Sequence, residues 1–357
     1  MFRSTITPLA LALTLWTAPA WGQAKPNPIE PDGTVNTPGF RLPPSVYLSE
    51  EARKSLPRRP LDANDMLTRL IEGGRVPAAR AAVAKNMAAK AARMAERYHV
   101  TYRETLAGGR PAYLVTPDDR PRGDRRILVN LPGGGFIMAT RAGGLMEAIP
   151  LAGRTGIEVL TVEYSQAPEA VFPAASQDVE AVYRELLKTR RPAQIGVYGS
   201  SAGGLLTAQA MAWFHHVGLP APAAAGIFCA SADARWAGDS WHWFKPFQGL
   251  TAPATLDERF YYGTHSLADP LMSPMESPEM LAAFPPTLVV TSMRAGEVSA
   301  AVDTHRRLVK AGVDAQLNVW DGLDHCFFAN DELPEAQETL DVMRSFFLRH
   351  MGPGKRR

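Results

Sequence analysis

Cysteine is scarce in this chain: only Cys229 and Cys326 occur among 357 residues. Two cysteines cannot build the dense disulfide framework of a small secreted scaffold, and their spacing matches no zinc-binding pattern. We therefore predict no metal and no cofactor. The two thiols could pair in an exported protein, but they stand in apolar stretches far apart in sequence. We predict two free, buried thiols, because free cysteine behaves as a small hydrophobic residue.

The chain also lacks a strong excess of charge of either sign. Its formal net charge is +2, which gives no electrostatic reason to expect nucleic acid or an anionic membrane as a partner. Hydrophobic residues make up 46% and charged residues 21%, the balance of a globular protein rather than a disordered one. The expected partner is therefore a small molecule, and these numbers leave the oligomeric state open.

The first 24 residues have the layout of a secretory signal peptide. Arg3 supplies a positive charge, an apolar run extends from Ile6 to Trp16, and small residues follow up to Ala24. A membrane anchor or a buried helix is the alternative, but the apolar run is shorter than the roughly 20 residues that span a bilayer. We predict a signal peptide over residues 1–24, export to the periplasm or the medium, and no integral membrane segment after cleavage.

The remaining sequence predicts an arm, a helical segment and one α/β domain. Residues 25–44 are rich in Pro, Asn and Gly, which indicates an extended arm or linker. Residues 45–98 read as helices and form a predicted N-terminal cap. From residue 99 to 350, short apolar runs alternate with helical segments, after an antiparallel start. That order indicates an α/β fold with a mostly parallel sheet and helices on both faces. Part of 234–286, too long for a single connection, is predicted to form a lid.

A sharp turn from a strand into a helix surrounds Ser201. The strand that ends at Tyr198 runs into Gly-Ser-Ser-Ala-Gly-Gly at Gly199–Gly204, and a helical segment follows. Glycines on both sides relieve the backbone crowding of such a turn and leave the serine exposed at the helix N-terminus. A glycine-rich turn with an ordinary serine is the alternative. The position between strand and helix favours Ser201 as a nucleophile.

A triple glycine follows the earlier strand Arg126–Leu131. Its backbone N–H groups at Gly134 and Gly135, together with that of Ala202, can form an oxyanion hole for a reacting carbonyl. A phosphate-binding loop is the alternative. However, the loop lacks the Gly-Lys pattern and the helix-opening glycine spacing of phosphate sites.

A histidine just past a late strand completes the pattern. His325 follows the strand Ala315–Trp320 and an Asp-Gly turn, which favours it as the general base. A triad also needs an acid that orients the imidazole, in chain order between the serine and the histidine. Glu297 is the first carboxylate beyond the strand Thr287–Thr291, and Asp303 lies further along.

These motifs resemble the hormone-sensitive-lipase-like group of α/β-hydrolase esterases, also called bacterial family IV. The resemblance covers roughly residues 126–328. Besides the serine turn and the triple glycine, it includes the following segments: Glu163–Glu169, Phe172–Ala175 with Asp178, Asp269–Leu271, Ser273-Pro274 and Phe284–Pro286. The resemblance implies an α/β-hydrolase fold and a serine esterase.

Three departures from the family pattern stand out. Pro132 replaces the family's histidine before the triple glycine, Cys326 replaces a glycine after His325, and Ala295 aligns with the usual acidic residue. A variant branch carries its acid two residues later, and the resemblance therefore implies Glu297 as the triad acid.

The sequence as a whole predicts a carboxylic ester hydrolase that acts through Ser201, Glu297 and His325 and a covalent acyl-enzyme. We expect short-chain acyl esters as substrates, since Phe136 and residues 236–247 supply bulky aromatic groups near the site. Two alternatives stay open: a non-catalytic ligand-binding homologue, and a hydrolase of another class such as a peptidase or a glycan deacetylase.

The signal-peptide prediction can be checked on exported protein. We expect mass spectrometry of periplasmic or secreted protein to show an N-terminus at Lys25, or at Trp21 if the earlier small-residue site is used. Full-length protein retained in the cytoplasm would contradict it.

Overall fold

The computed structural model describes residues 29–30, 32–35, 41–56, 63–247 and 259–352. The predicted signal peptide and residues 248–258 of the predicted lid lie outside these ranges. The chain divides into two units, residues 1–43 and residues 44–357. In the first unit, Ile29 and Val35 pair through an isolated antiparallel bridge around a turn.

The second unit is built on one sheet. In its described part, eight strands lie in the order β1-β2-β4-β3-β5-β6-β7-β8. The strands are β1 Val100–Ala107, β2 Arg110–Pro117, β3 Ile127–Leu131, β4 Glu158–Val162, β5 Ile195–Ser200, β6 Ala224–Phe228, β7 Thr287–Ser292 and β8 Ala315–Trp320. β2 is antiparallel to β1 and β4, and every other neighbouring pair is parallel. The predicted antiparallel start and the parallel strands after it are confirmed.

Helices cover both faces of the sheet, as predicted. They are α1 Glu50–Ser55, α2 Ala63–Glu72, α3 Val76–Tyr98, α4 Arg141–Thr155, α5 Ala174–Leu187, α6 Ala202–His216, α7 Asp239–Phe247, α8 Arg259–Tyr262, α9 Pro278–Ala282, α10 Val298–Lys310 and α11 Pro334–His350. One hydrophobic core contains side chains from α5, α6 and α10, and a second contains side chains from α3, α4 and α11. None of the described helices combines the length and apolarity that crossing a bilayer requires.

The central strands are largely apolar because both of their faces are covered. All five residues of β3 are buried, and two adjacent residues of this strand, Leu128 and Val129, face opposite cores. Fully burying one such side chain contributes about 1.5–3 kcal/mol, so a continuous apolar run is stable only in the middle of a layered sheet. These strands form a rigid base for the loops at their ends.

The parallel strands bring four loops to one edge of the sheet. Leu131 at the end of β3 pairs with Gly199 near the end of β5, and Ser292 at the end of β7 pairs with Trp320 at the end of β8. Because the carboxyl ends of parallel strands meet at the same edge, the loops that follow β3, β5, β7 and β8 converge there.

Candidate active site

Ser201 is the single residue between the end of β5 and the start of α6. Its φ angle is +55°, in a region that non-glycine residues rarely adopt, and its N–H donates to the Phe228 carbonyl at 2.8 Å. The turn is tight: a Cβ added at Gly203 would lie 1.8 Å from the Leu131 carbonyl oxygen, which only glycine avoids. The backbone is therefore strained at the residue predicted to be the nucleophile, as is typical of functional sites.

The structure brings Ser201, His325 and Glu297 together. Ser201 Oγ lies 2.9 Å from His325 Nε2, and Glu297 Oε2 lies 3.0 Å from His325 Nδ1. Glu297 is 0% exposed, and its other oxygen accepts a hydrogen bond from Thr291 Oγ1 at 3.1 Å. With a proton on Nδ1 donated to Glu297, neutral His325 can accept the Ser201 proton at Nε2.

Hydrogen bonds between the loops after β7 and β8 hold Glu297 beside His325. Ser292 Oγ donates to the Asp324 carbonyl at 2.9 Å, and the N–H of Arg294 donates to the Leu323 carbonyl at 3.2 Å. The Asp324 side chain in turn accepts from the N–H of His325 at 2.7 Å. Neither loop can shift without breaking bonds to the other, so the separation of Glu297 and His325 is set by the backbone.

The other carboxylate considered from the sequence does not reach the histidine. Asp303 lies on α10, where its two oxygens pair with Arg306 and Arg307. Ala295, which takes the position of the family's usual acid, is fully buried and apolar. Glu297 is therefore the carboxylate on this loop that contacts His325.

The triple-glycine loop lies directly against the serine turn. Gly134 adopts φ +141°, and its carbonyl accepts from the N–H of Met138 at 2.7 Å, which folds the loop back on itself. Within the described residues, the backbone N–H groups of Gly134, Gly135 and Ala202 have no protein acceptor. The N–H of Gly133, by contrast, donates to Glu147 Oε1 at 3.1 Å.

A pocket of about 300 Å³ opens above Ser201. It is lined by Val83, Met87, Gly133, Gly134, Met138, Thr140, Gly143, Glu147, Ser200, Ser201, His325, Cys326 and Ala329. Val83 and Met87 come from α3, so the N-terminal helical segment forms part of the pocket wall. Among the described residues, no group of three His, Cys, Asp or Glu side chains could hold a metal ion.

His325 lies in an environment that favours its charged form. Its side chain is 31% exposed, and its ring packs 5.6 Å from the Trp236 ring. Burial alone would lower the pKa of His325, but the neighbouring Cys326 and Glu297 groups outweigh it and raise the pKa well above its ordinary value. The protonated form of the His325 ring is thereby stabilised.

Sequence analysis missed Glu147, a carboxylate in the pocket wall. Glu147 lies on α4 and accepts hydrogen bonds from Asn130 Nδ2 at 2.8 Å and Ser200 Oγ at 2.6 Å, besides the one from Gly133. Burial raises the pKa of Glu147 to about 7, against the opposing effect of these three hydrogen bonds. A lone glutamate within a helical segment carried no motif that could have identified it.

The two cysteines are free, as predicted, but only one of them is buried. Both are free, and Cys229 is buried, but Cys326 is only partly buried because it lines the pocket. The two residues belong to the same hydrophobic cluster, and their thiols influence each other's pKa. Burial would raise the pKa of Cys326, but Cys229 and His325 together lower it to about 6. Their separation in sequence concealed this contact, because the ends of β6 and β8 meet at the same edge.

The family model described as the alpha/beta hydrolase fold matches residues 128–329. The chain belongs to this family. An acetyl-hydrolase of Streptomyces hygroscopicus is 30% identical over 242 residues, which cover 65% of this chain and 79% of that one.

Solved structures place this α/β-hydrolase more narrowly. The crystal structure of esterase E25 is 27% identical, with a TM-score of 0.78, over 88% of this chain and 98% of that chain. An esterase from the bacterial hormone-sensitive lipase family is 28% identical, with a TM-score of 0.66, over 71% and 86%. The resemblance predicted from the motifs is confirmed: this α/β-hydrolase is a hormone-sensitive-lipase-like serine esterase.

The role of Glu297 can be tested by its amide. We expect Glu297→Gln to lower kcat by about 10⁴-fold, since loss of the acid leaves the imidazole in the wrong tautomer. The pH at which any remaining activity rises should be lower than in the wild type, because the carboxylate that raises the pKa of His325 is gone. Steady-state kinetics across pH measure both effects.

Asp303→Asn is the matched control, since it removes a carboxylate from the same region without touching His325. It should keep near wild-type activity. The assignment is contradicted if Glu297→Gln remains active while Asp324→Asn is inactive, because the acid would then lie in the histidine loop.

Proposed function

We propose that this esterase hydrolyses short-chain carboxylic esters through a covalent acyl-enzyme on Ser201. The observation that carries the proposal is the unbroken path of hydrogen bonds from Ser201 through His325 to Glu297, at 2.9 and 3.0 Å. As Ser201 Oγ attacks the ester carbonyl, its proton passes to His325 Nε2. The same proton then goes to the leaving alcohol, and water repeats the sequence on the acyl-enzyme.

The oxyanion of each tetrahedral intermediate is assigned to three backbone donors. The N–H groups of Gly134, Gly135 and Ala202 lie beside the nucleophile and are not engaged with protein acceptors among the described residues. Donors held in place before the reaction stabilise developing charge without reorganisation, and losing one typically costs about 10²–10³ in kcat. Pro132 does not remove any of these donors, which supports a catalytic site over a non-catalytic one.

The size and lining of the pocket support a short acyl group. A volume of about 300 Å³ lies at the low end of ligand pockets, which span roughly 300–1,000 Å³. Met87 and Met138 narrow it with flexible apolar side chains, and the polar Glu147 lies at its wall. The relative named an acetyl-hydrolase agrees with a small acyl substrate. We also propose that the enzyme is exported, on the strength of its first 24 residues alone.

The first test of this function removes the nucleophile. We expect Ser201→Ala to remain folded and to lose activity on a p-nitrophenyl ester by about 10⁴-fold or more, as loss of a triad member does. The wild type should release a burst of p-nitrophenol as the acyl-enzyme accumulates, and the variant should not.

The neighbouring serine provides the matched control. Ser200→Ala removes one hydroxyl that bonds to Glu147, so we expect a loss of roughly tenfold, the value of one hydrogen bond to a carboxyl group. If Ser200→Ala is the inactive variant and Ser201→Ala is not, the nucleophile has been assigned to the wrong serine.

The acyl-chain preference is tested with esters of graded length. We expect kcat/KM to be higher for p-nitrophenyl acetate and butyrate than for the octanoate and palmitate, because long chains exceed the pocket. Met87→Ala should raise the ratio of octanoate to acetate turnover by widening the pocket, whereas Met293→Ala, on an exposed side chain outside the pocket lining, should not change it. Faster turnover of long-chain esters by the wild type would contradict the proposal.

A further inference from the structure

Glu147 connects three parts of the site that the proposed mechanism needs in register. Its carboxylate contacts Asn130 on β3, the N–H of Gly133 in the triple-glycine loop, and Ser200, the residue just before the proposed nucleophile. Asn130 is itself fixed, since its carbonyl oxygen accepts from Thr161 Oγ1 on β4 at 2.7 Å. No step of the proposed ester hydrolysis uses this network.

The peptide unit between Pro132 and Gly133 is held at both ends. Tyr164 Oη donates to the Pro132 carbonyl at 2.6 Å, and the Gly133 N–H of the same unit donates to Glu147 Oε1 at 3.1 Å. The C=O and N–H of a trans peptide point in opposite directions, so two partners on opposite sides fix the rotation of its plane. The preceding peptide unit, between Leu131 and Pro132, has no N–H and so cannot donate a further bond that would anchor the loop.

The orientation of that unit determines where the following N–H groups point. With the Gly133 N–H turned to Glu147, the next two backbone donors, at Gly134 and Gly135, carry no protein acceptor among the described residues, and Gly134 lines the pocket. Glycine has wide backbone freedom, so a loop with three in succession does not hold one arrangement by itself. An external anchor is therefore needed for donors that must be in place before charge develops.

The same carboxyl oxygen also accepts from Ser200 Oγ. Glu147 thus joins the loop that carries two oxyanion donors to the turn that carries the nucleophile and the third donor. A relative shift between loop and turn would break one of the two bonds on Oε1. The Glu147 side chain thus adds a direct link between the loop and the turn, besides the contact between their backbones.

We propose that Glu147 is a positioning residue of the oxyanion hole, which orients the Pro132–Gly133 peptide unit and holds the triple-glycine loop in register with the Ser201 turn. This role rests on the proposed function, because it gives the loop its catalytic purpose. Glu147 acts through the backbone and does not touch the reacting atoms.

The test compares Glu147→Ala and Glu147→Gln with Glu335→Ala. Glu335 is a matched control: like Glu147, it is a glutamate that accepts from a backbone N–H and a serine hydroxyl, here both of Ser49, and it does not line the pocket. Thermal unfolding of all three variants separates a general loss of stability from an effect on the site.

We expect Glu147→Ala to lower kcat on p-nitrophenyl acetate by about 100-fold, the effect of weakening the oxyanion donors, with KM changed by less than about threefold. Affinity for a trifluoromethyl ketone, which forms a tetrahedral adduct on the serine, should fall by a similar factor. Glu147→Gln keeps an acceptor oxygen for Gly133 and Ser200, so it should recover kcat to within about tenfold of the wild type. Glu335→Ala should keep the wild-type kcat at a comparable loss of melting temperature.

A second readout needs no substrate. Hydrogen exchange of the Gly133 amide, followed by NMR, should accelerate by about tenfold or more in Glu147→Ala and stay at the wild-type rate in Glu335→Ala. Unchanged exchange in Glu147→Ala overturns the proposal even if the enzyme is a serine esterase. Faster exchange with unchanged kcat, or a kcat loss no larger than that of Glu335→Ala, overturns its catalytic purpose. Failure of the proposed function itself would show separately, as turnover that survives Ser201→Ala.

Discussion

The close approach between the first turn of α6 and the end of β3 is the constraint on which the site depends. At Gly203 there is no room for a single extra carbon atom beside the Leu131 carbonyl. This approach lies next to the positive φ of Ser201 and places the triple glycine, which starts two residues after Leu131, against the serine turn. Ser201 and the triple-glycine loop are therefore neighbours because two backbones are packed in contact.

The sheet also determines the position of Glu297 relative to His325. β7 and β8 are parallel neighbours, and the loops that leave them are hydrogen-bonded to each other through Ser292 and Asp324. α7 adds a further restraint, since Ser240 Oγ donates to the Gly296 carbonyl at 2.6 Å. Glu297 is thus held in place by contacts with the sheet, with the loop of His325 and with α7. Each of these contacts is made by backbone or by short polar side chains, which have little freedom to move.

The sequence was informative wherever a residue type has few physical alternatives. Only glycine fits at Gly203, so the serine turn carried its own signature. The central strands are largely apolar because both of their faces are covered, which made the strands from Ile127 to Ser292 recognisable in the sequence. The strand bounds shifted by one or two residues, as at β5, which continues through Ser200 up to the nucleophile.

What could not be predicted depends on contacts between distant residues. Glu147 lies inside a helix, and only the packing of α4 against β3 and β5 brings its carboxylate to Gly133 and Ser200. The contact between Cys229 and Cys326 likewise exists because the ends of two strands meet. The sequence contains the residues of such clusters but does not show that the fold brings them together. Many polar residues in helices look alike before the fold is known.

The complete burial of Glu297 makes the three residues of the proposed triad unequal in their importance for the fold. Ser201 contributes a hydroxyl that faces the pocket, and its removal leaves no buried group without a partner. His325, in contrast, satisfies one oxygen of a carboxylate that has no access to water. Removing the imidazole leaves that oxygen of Glu297 without a hydrogen-bond partner in the interior, where an uncompensated buried charge costs several kcal/mol. Loss of the histidine therefore threatens the stability of the native state, whereas loss of the serine leaves the fold intact.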